Sequence, residues 1–315
     1  MNVKKLGKNL EVIMIDNLAS PLCYVGNKTR ILPLIHQNLP KEYDLFIDVM
    51  AGSGVVGFSQ DKPVMYNEKD IHTYNLIRTM KECDLNFMLE RIDFLIKQFD
   101  LSKDNKENYI KMRRNFNDVH SMFLDDCNSI IRHASNLALM VLVFYSFNHY
   151  ITFNKEGKFT TPAGTHRSSY NKSIKNKLIT FKEKLNSFEY NLEMCNMDFR
   201  DLYEYVSRLY DYHLEGKFFF FDSPYLLSNS QYNRTHGNSW TEKDEEDLYK
   251  LCDLIHKNGG KFMLTNLVES KGKTNEHLLT FSKKYSTINT NCDFGGCNYQ
   301  RSNKKTDKEI LVKNY

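Results

Sequence analysis

The sequence has no C-x-x-C pair, no H-x-x-E-H or related histidine spacing, no internal repeat and no low-complexity segment. The first absence, with seven cysteines set mostly inside apolar runs, argues against a disulfide framework and for reduced thiols in a cytoplasmic protein. The second leaves the ten histidines as exposed or structural residues, and no metal is expected. Long hydrophobic runs are missing too. The most apolar stretch, residues 137–147 (LALMVLVFYSF), falls well short of the roughly 20 residues of a membrane span, so it reads as a buried core element and no membrane partner is expected. Near the start, Lys4, Lys5 and Lys8 are followed by Glu11 and Asp16, which interrupt any apolar h-region and predict no signal peptide.

What is present is an ordinary globular composition of 315 residues, 41% apolar and 26% charged, which supports a sizeable core and excludes disorder. The length exceeds the roughly 250–300 residues at which single cores stop growing, which predicts two domains or one domain with a large insertion. The net charge of +4 is unevenly spread. Residues 155–184 hold eight basic side chains against two acids, with Phe159, Tyr170 and Phe181 interleaved, and residues 257–315 hold eleven against five. A solvated lysine face and a phosphate-contacting surface both fit that pattern.

Residues 43–49 (YDLFIDV) read as a short apolar strand ahead of a glycine turn, and residues 64–66 as a second strand. Residues 72–147 show helical spacing, with Met80, Phe87, Leu95, Ile110, Met122, Ile130, Leu137 and Val141 among charged partners and no proline. Strand signals return at 190–195, 217–221 and 261–264. Between the last two, Thr241 and Asp244 resemble an N-cap pair opening a helix that ends near Asn258. Strand, helix, strand on either side of a helical insertion implies a mostly parallel sheet with helices on both faces.

Two segments carry chemistry. Residues 48–57 (DVMAGSGVVG) follow a strand and contain G-x-G-x-x-G, whose glycines let the backbone approach a ligand while the helix they open presents unpaired N–H groups. Glu68, at the end of the next strand, is placed for the hydroxyls of an adenosine ribose. Asp48 favours S-adenosylmethionine over NAD, because an acid beside the glycines repels pyrophosphate but suits a ligand bearing an ammonium and a sulfonium. A tight turn with a structural aspartate is the plain alternative. The second segment is the run of four phenylalanines, 218–221, ending in Asp222, Ser223, Pro224 and Tyr225. Ligands bind at the carboxyl ends of strands in open α/β sheets. There the Asp222 carboxylate and the Ser223 carbonyl can hold both N–H protons of a nucleobase amine and free its lone pair, while Tyr225 stacks on a base flipped from its duplex. Pro224 stiffens the turn. A strand-terminating D-x-P turn is the alternative here.

Together these segments resemble the Dam-like D12 class (alpha-group) of DNA adenine-N6 methyltransferases, in which a glycine turn precedes an inserted target-recognition domain and a D-P-P-Y motif follows it. Residues 24–28 (YVGNK) resemble the family's N-terminal motif, whose aromatic and lysine, here Tyr24 and Lys28, contact the cofactor; Cys23 stands where the family has a first lysine. Asn67 and Glu68 resemble the motif supplying the ribose acid, and residues 196–199 (NMDF) the motif holding the cofactor's adenine. Residues 154–164 (NKEGKFTTPAG) resemble a DNA-facing hairpin, and residues 299–315 a closing β-hairpin. Ser223 replaces the motif's first proline, at a position that acts through its carbonyl. Asp222 rather than Ser at the first position points to adenine N6 over cytosine N4.

The resemblance implies a Rossmann-like, mostly parallel seven-stranded α/β methyltransferase sheet with an inserted, mainly helical target-recognition domain. Residues 1–75 and 171–315 would form the catalytic domain and residues 76–170 the DNA-binding insertion. It implies site-specific methyl transfer from S-adenosylmethionine to an adenine in double-stranded DNA. The setting would be a restriction-modification or phage/host DNA-marking system in which a cognate restriction endonuclease acts separately. Catalysis falls to Asp222, Ser223, Pro224 and Tyr225. Cofactor binding falls to Tyr24, Lys28, Asp48, Ala51, Gly52, Ser53, Gly54, Glu68, Asp198, Phe199 and Asp222. DNA contact falls to Asn154, Lys155, Lys158, His166, Arg167, Lys172, Tyr232 and Asn233, the last two on a loop, 226–240, expected to order around the flipped base. Three alternatives stay open: a non-catalytic nucleic-acid-binding module with a decayed pocket, an RNA amine methyltransferase, and an NAD-dependent dehydrogenase, for which no proton donor pairs with the glycine turn.

Overall fold

Phe218, Phe219, Phe220 and Phe221 are all buried, which in a strand requires cover on both faces of the sheet. The computed structural model describes residues 18–22, 26, 28–119, 129–165, 168–227, 240–270, 272–290 and 307–315, and it supplies that cover. The strands are β1 (Leu45–Asp48), β2 (Val64–Asn67), β3 (Leu192–Cys195), β4 (Lys217–Asp222), β5 (Lys261–Ser270), β6 (Lys273–Thr274), β7 (Ser286–Asn289) and β8 (Lys308–Lys313). They lie in the order β3-β2-β1-β4-β5-β8-β7, with the short β6 beside β5. All pairings from β3 through β5 are parallel, and β8 runs antiparallel between β5 and β7. The path is the expected seven-stranded, mainly parallel sheet.

The helices are α1 (Leu32–Gln37), α2 (Val55–Phe58), α3 (Ile71–Glu82), α4 (Leu85–Gln98), α5 (Lys106–Val119), α6 (Ser129–Tyr145), α7 (Lys172–Ser187), α8 (Phe199–Leu209), α9 (Glu242–Lys257) and α10 (Glu276–Ser282). Side chains on either side of the sheet form two cores. Phe46, Phe218 and Phe220 face one that runs on into α3, α4, α5, α6 and α7. Phe219 and Phe221 face the other, with α8, α9 and α10. The strand's period of two thus sends alternate rings to opposite layers. Helix α6 is apolar nearly all round because α3, α4 and α5 pack against it.

Capping explains where several helices start. Asp70, Asp84, Asn171, Asp198 and Asn275 accept backbone N–H bonds at the first turns of α3, α4, α7, α8 and α10. At α9, Thr241 and Asp244 form the reciprocal capping box expected from the sequence, and Asn258 ends the helix. The glycine turn opens a helix as expected, a single turn that Gln60 and Ser59 close by bonding back to the Val56 carbonyl. Two local expectations are corrected. Strand β5 runs on to Ser270, six residues past the expected end, because antiparallel β8 and β6 supply it with partners. The closing hairpin reaches back to Ser286 in β7 rather than starting at 299, and residues 291–306 lie outside the described residues.

Within the insertion, residues 152–160 form a small hairpin with a bridge between Phe153 and Phe159. One stripe of α5 grips its far edge. Tyr109 donates to the Thr161 carbonyl, Arg113 to the Thr160 and Thr161 carbonyls, and the Asn117 amide pairs with both the N–H and the carbonyl of Phe159. These residues are four apart and so share one helix face.

A buried carboxylate ties the opposite layer together. Glu245 of α9 is fully buried and accepts hydrogen bonds from Trp240 Nε1, the Tyr249 hydroxyl, Asn266 of β5 and Asn275 at the start of α10. Replacing it with an apolar residue strands several buried donors. Glu245→Leu is expected to lower stability to urea by about 3 kcal/mol or more, and Glu245→Gln by less, because one acceptor oxygen remains. Equal unfolding midpoints for wild type and Glu245→Leu would contradict this.

Candidate active site

Strands β1 and β4 are neighbours whose onward connections leave in opposite directions, β1 toward β2 and β4 toward β5. A crevice opens at such a switch point, beyond the carboxyl ends of the strands. Asp48 ends β1 and Asp222 ends β4, with Asp48 paired to Phe220 in the register. Asp48 is buried, and its Oδ2 accepts the Gly57 N–H at 2.9 Å. A Cβ on Gly57 would lie 2.8 Å from that oxygen, so glycine is what lets α2 close on the carboxylate. Its Oδ1 is buried with no hydrogen-bond partner among the described residues. Burial pushes the Asp48 carboxyl up to about 7; the Gly57 N–H opposes this, and the nearby Asp222 carboxylate adds to it.

The glycine turn is held from behind. Gly54 caps α2 in the left-handed region at φ +72°, where a Cβ would also strike the Phe58 ring at 2.1 Å. Gly52 donates its N–H to Glu68 Oε2 at 2.8 Å, and its carbonyl accepts the Tyr66 hydroxyl at 2.8 Å. Glu68 takes the Asp70 N–H on its other oxygen, and burial pushes its carboxyl up to about 8. Ala51, Gly52, Ser53 and Gly54 therefore line up between Asp48 and Glu68, with Ala51 bonded to the Asn67 carbonyl. The Asn67 side chain bonds Val49, Met197 O and Met197 N, fastening the β1 loop to residues 196–199.

Asp198 caps α8 and pairs with Lys69 and Arg200 at 2.8 and 3.2 Å. Burial works against its ionisation, but Lys69 and the Arg200 N–H outweigh it and hold the carboxyl below its ordinary range. Phe199 is buried, its ring tilted against Trp240 at 5.6 Å between ring centres.

At the end of β4, the buried Lys28 ammonium lies 2.5 Å from Asp222 Oδ1 and 5.2 Å from the centre of the Tyr225 ring. It also donates to the Gly26 carbonyl at 3.0 Å. Thr265 of β5 donates to the same Asp222 oxygen at 3.0 Å. Oδ1 thus takes both donors, which leaves Oδ2 for an incoming N–H. The Tyr225 hydroxyl donates to Glu309 of β8, whose Oε1 is 3.9 Å from the Lys28 ammonium. Burial raises the Glu309 carboxyl, with Lys28 and the Tyr225 hydroxyl acting against it. Ser223 is buried, and Pro224 and Tyr225 are partly exposed.

The structure thus brings together Lys28, Asp48, Ala51, Gly52, Ser53, Gly54, Glu68, Asp222, Ser223, Pro224 and Tyr225 at one edge of the sheet. Lys28, expected from the resemblance on the cofactor, sits on Asp222. The exposed Lys155 and Lys158 lie at the hairpin tip, where Asn154 Oδ1 accepts the Glu156 and Lys158 N–H groups and so braces the turn. The exposed Lys172 begins α7. Tyr24, His166, Arg167, Tyr232 and Asn233 lie outside the described residues. Glu309 and Thr265 were missed from the sequence. The signal for Glu309 was a lone acid opening the apolar run Ile310, Leu311 and Val312; Thr265 had none, being an ordinary strand residue until β5 is laid beside β4.

The sequence is similar to those of several known proteins. Modification methylase StsI of Streptococcus sanguinis is 26% identical over 326 residues, spanning 99% of this chain and 46% of its own length. Type II methyltransferase M.FokI of Planomicrobium okeanokoites is 28% identical over 304 residues, spanning 95% and 43%. The chain therefore spans about half the length of these two relatives. Type II methyltransferase M.MjaIII of Methanocaldococcus jannaschii is 27% identical over 315 residues, spanning 93% of this chain and 98% of its own length. The profile of the D12 class N6 adenine-specific DNA methyltransferases matches residues 24–291, most of the chain, and the protein belongs to that family.

Proposed function

We propose that this chain transfers the methyl group of S-adenosylmethionine to the N6 amine of an adenine turned out of duplex DNA. The observation that carries the reading is the placement of Asp222, Ser223 and Tyr225 on the strand next to Asp48 and its glycine turn. The residues present fit the cofactor. A buried, unpaired Asp48 oxygen suits a cationic group, and Glu68 keeps free lone pairs for ribose hydroxyls beside the glycine turn. When bound, S-adenosylmethionine supplies an electrophilic methyl carbon.

The chain's own residues do the rest. Asp222 Oδ2 accepts one N6–H and the Ser223 carbonyl the other, which turns the amine's lone pair out of the ring plane. Tyr225 offers its face to the base, at a position that a base paired in its duplex does not reach. Holding amine and methyl in line supplies much of the acceleration, and the fixed acids stabilise the positive charge that develops on N6. The amine's proton then passes to Asp222. Ala51, Ser53, Gly54, Asp198 and Phe199 would flank the cofactor.

Residues 76–170 would form the target-recognition unit, with Lys155, Lys158 and Lys172 on phosphates, and residues 1–75 and 171–315 the catalytic domain. Buried free thiols at Cys83, Cys195 and Cys252 suit a cytoplasmic enzyme. Among the described residues no helix is long and apolar enough to cross a membrane. The relatives' names, modification methylase and Type II methyltransferase, support a role in restriction-modification beside a separate endonuclease.

Asp222→Ala is expected to cut methyl transfer to duplex DNA by at least about 100-fold while leaving cofactor affinity near wild type. Labelled-methyl transfer with nucleoside analysis reads this, and wild-type product that is N4-methylcytosine would overturn the assignment. The raised Asp48 carboxyl gives a pH signature. Its contribution to apo stability is full below its unfolded value, about 4, and is lost as pH rises through about 7. A cationic ligand instead draws the ionised form. Cofactor affinity should therefore strengthen from about pH 6 to about pH 8, by at most about tenfold per unit, with protons released on binding. Calorimetry in buffers of different ionisation enthalpy measures both, and a flat profile removes Asp48 from this role. Lys155→Ala with Lys158→Ala should reduce the slope of log affinity for duplex DNA against log salt by about two. An unchanged slope would take the hairpin tip off the phosphates.

A further inference from the structure

Beyond its own loop, the Tyr225 hydroxyl donates to Glu309 of β8 and lies beside Thr265 of β5, while Lys28 stands over the ring. The acid is unusual for its position. Glu309 lies on β8 between the exposed Lys308 and the buried run Ile310, Leu311 and Val312, and only 1% of its side chain is exposed. An apolar side chain would serve the strand at lower cost, because burying a carboxylate is unfavourable unless its oxygens are occupied. Here Oε1 serves Tyr225 and stands near Lys28, while Oε2 has no hydrogen-bond partner among the described residues. Thr290 also lies beside the carboxyl, yet one oxygen stays unpartnered among the described residues and the other is placed to anchor the ring.

We propose that Glu309 is a positioning residue for the target base, fixing the Tyr225 ring through its hydroxyl so that the ring's face is set before the base arrives. This rests on the reading of Tyr225 as the stacking residue. A phenol ring turns about two side-chain torsions, and a hydrogen bond at its far end fixes both. Strand β8 also pairs with β5, which brings Thr265 to Asp222. The antiparallel pair β5 and β8 therefore holds both the amine acceptor and the stacking ring, one from each strand.

The test uses the full chain with Glu309→Ala, Glu309→Gln, Tyr225→Phe and the double variant Glu309→Ala with Tyr225→Phe. The readouts are KM for duplex DNA, kcat, cofactor affinity, and the fluorescence of a duplex carrying 2-aminopurine at the target position. Glu309→Ala and Tyr225→Phe should each raise KM for DNA by about tenfold and weaken the 2-aminopurine response, with cofactor affinity unchanged. The double variant should be no worse than either single one, because both remove the same bond. Glu309→Gln keeps an acceptor oxygen and should fall between, and it serves as the reading variant if Glu309→Ala does not fold. Additive losses, or a Glu309→Gln enzyme as impaired as Glu309→Ala, would overturn the proposal. A wild-type chain that transfers no methyl group to DNA would instead overturn the function on which it rests.

Discussion

One buried ammonium among buried acids governs this site. Lys28 is set between Asp222 and Glu309, with Asp48 and Glu68 buried at the neighbouring strand ends. Among the described residues, four carboxyl groups and one lysine stand here, with Asp48 and Glu68 held by backbone N–H groups from Gly52, Gly57 and Asp70. Burial pushes the Asp48 and Glu68 carboxyls upward, which disfavours their charged forms. Such an environment discriminates against phosphate-bearing ligands on electrostatic grounds. It does so at the sheet edge where glycine turns elsewhere receive pyrophosphate. The family to which the chain belongs excludes the dehydrogenase alternative.

The sheet was legible because its signals are local. The four phenylalanines, the glycine turn after residues 43–49 and the Thr241 cap each specify their own conformation, and β1, β4 and α9 stand where those residues imply. Legibility failed where partners are remote. Strand β5 gains its last six residues from β8 and β6, and nothing within 261–270 announces them. The same divide runs through the site. Asp222, Ser223, Tyr225 and the glycines are contiguous motifs, whereas Thr265 and Glu309 reach them only through sheet register. Lys28 was found by motif, but its pairing with Asp222 was not, since that contact spans most of the chain.

The two layers divide the labour. The layer of α8, α9 and α10 fixes the loops behind the glycine turn: Asp198 caps α8, Phe199 packs on Trp240, and Glu245 gathers four donors. The layer of α3 to α7 shares its core with the sheet's other face and runs directly into the hairpin at 152–160. The hairpin and the segment at residues 196–199 are therefore supported from opposite faces of one sheet.

The clamp of α5 on that hairpin has a consequence for how such a protein diversifies. Tyr109, Arg113 and Asn117 hold only main-chain atoms of residues 159–161, as an adjacent strand would. The grip is blind to the identity of the side chains it supports. Tip residues can be exchanged over generations without loosening the arm, and the otherwise bare edge offers no template for a second chain to add to.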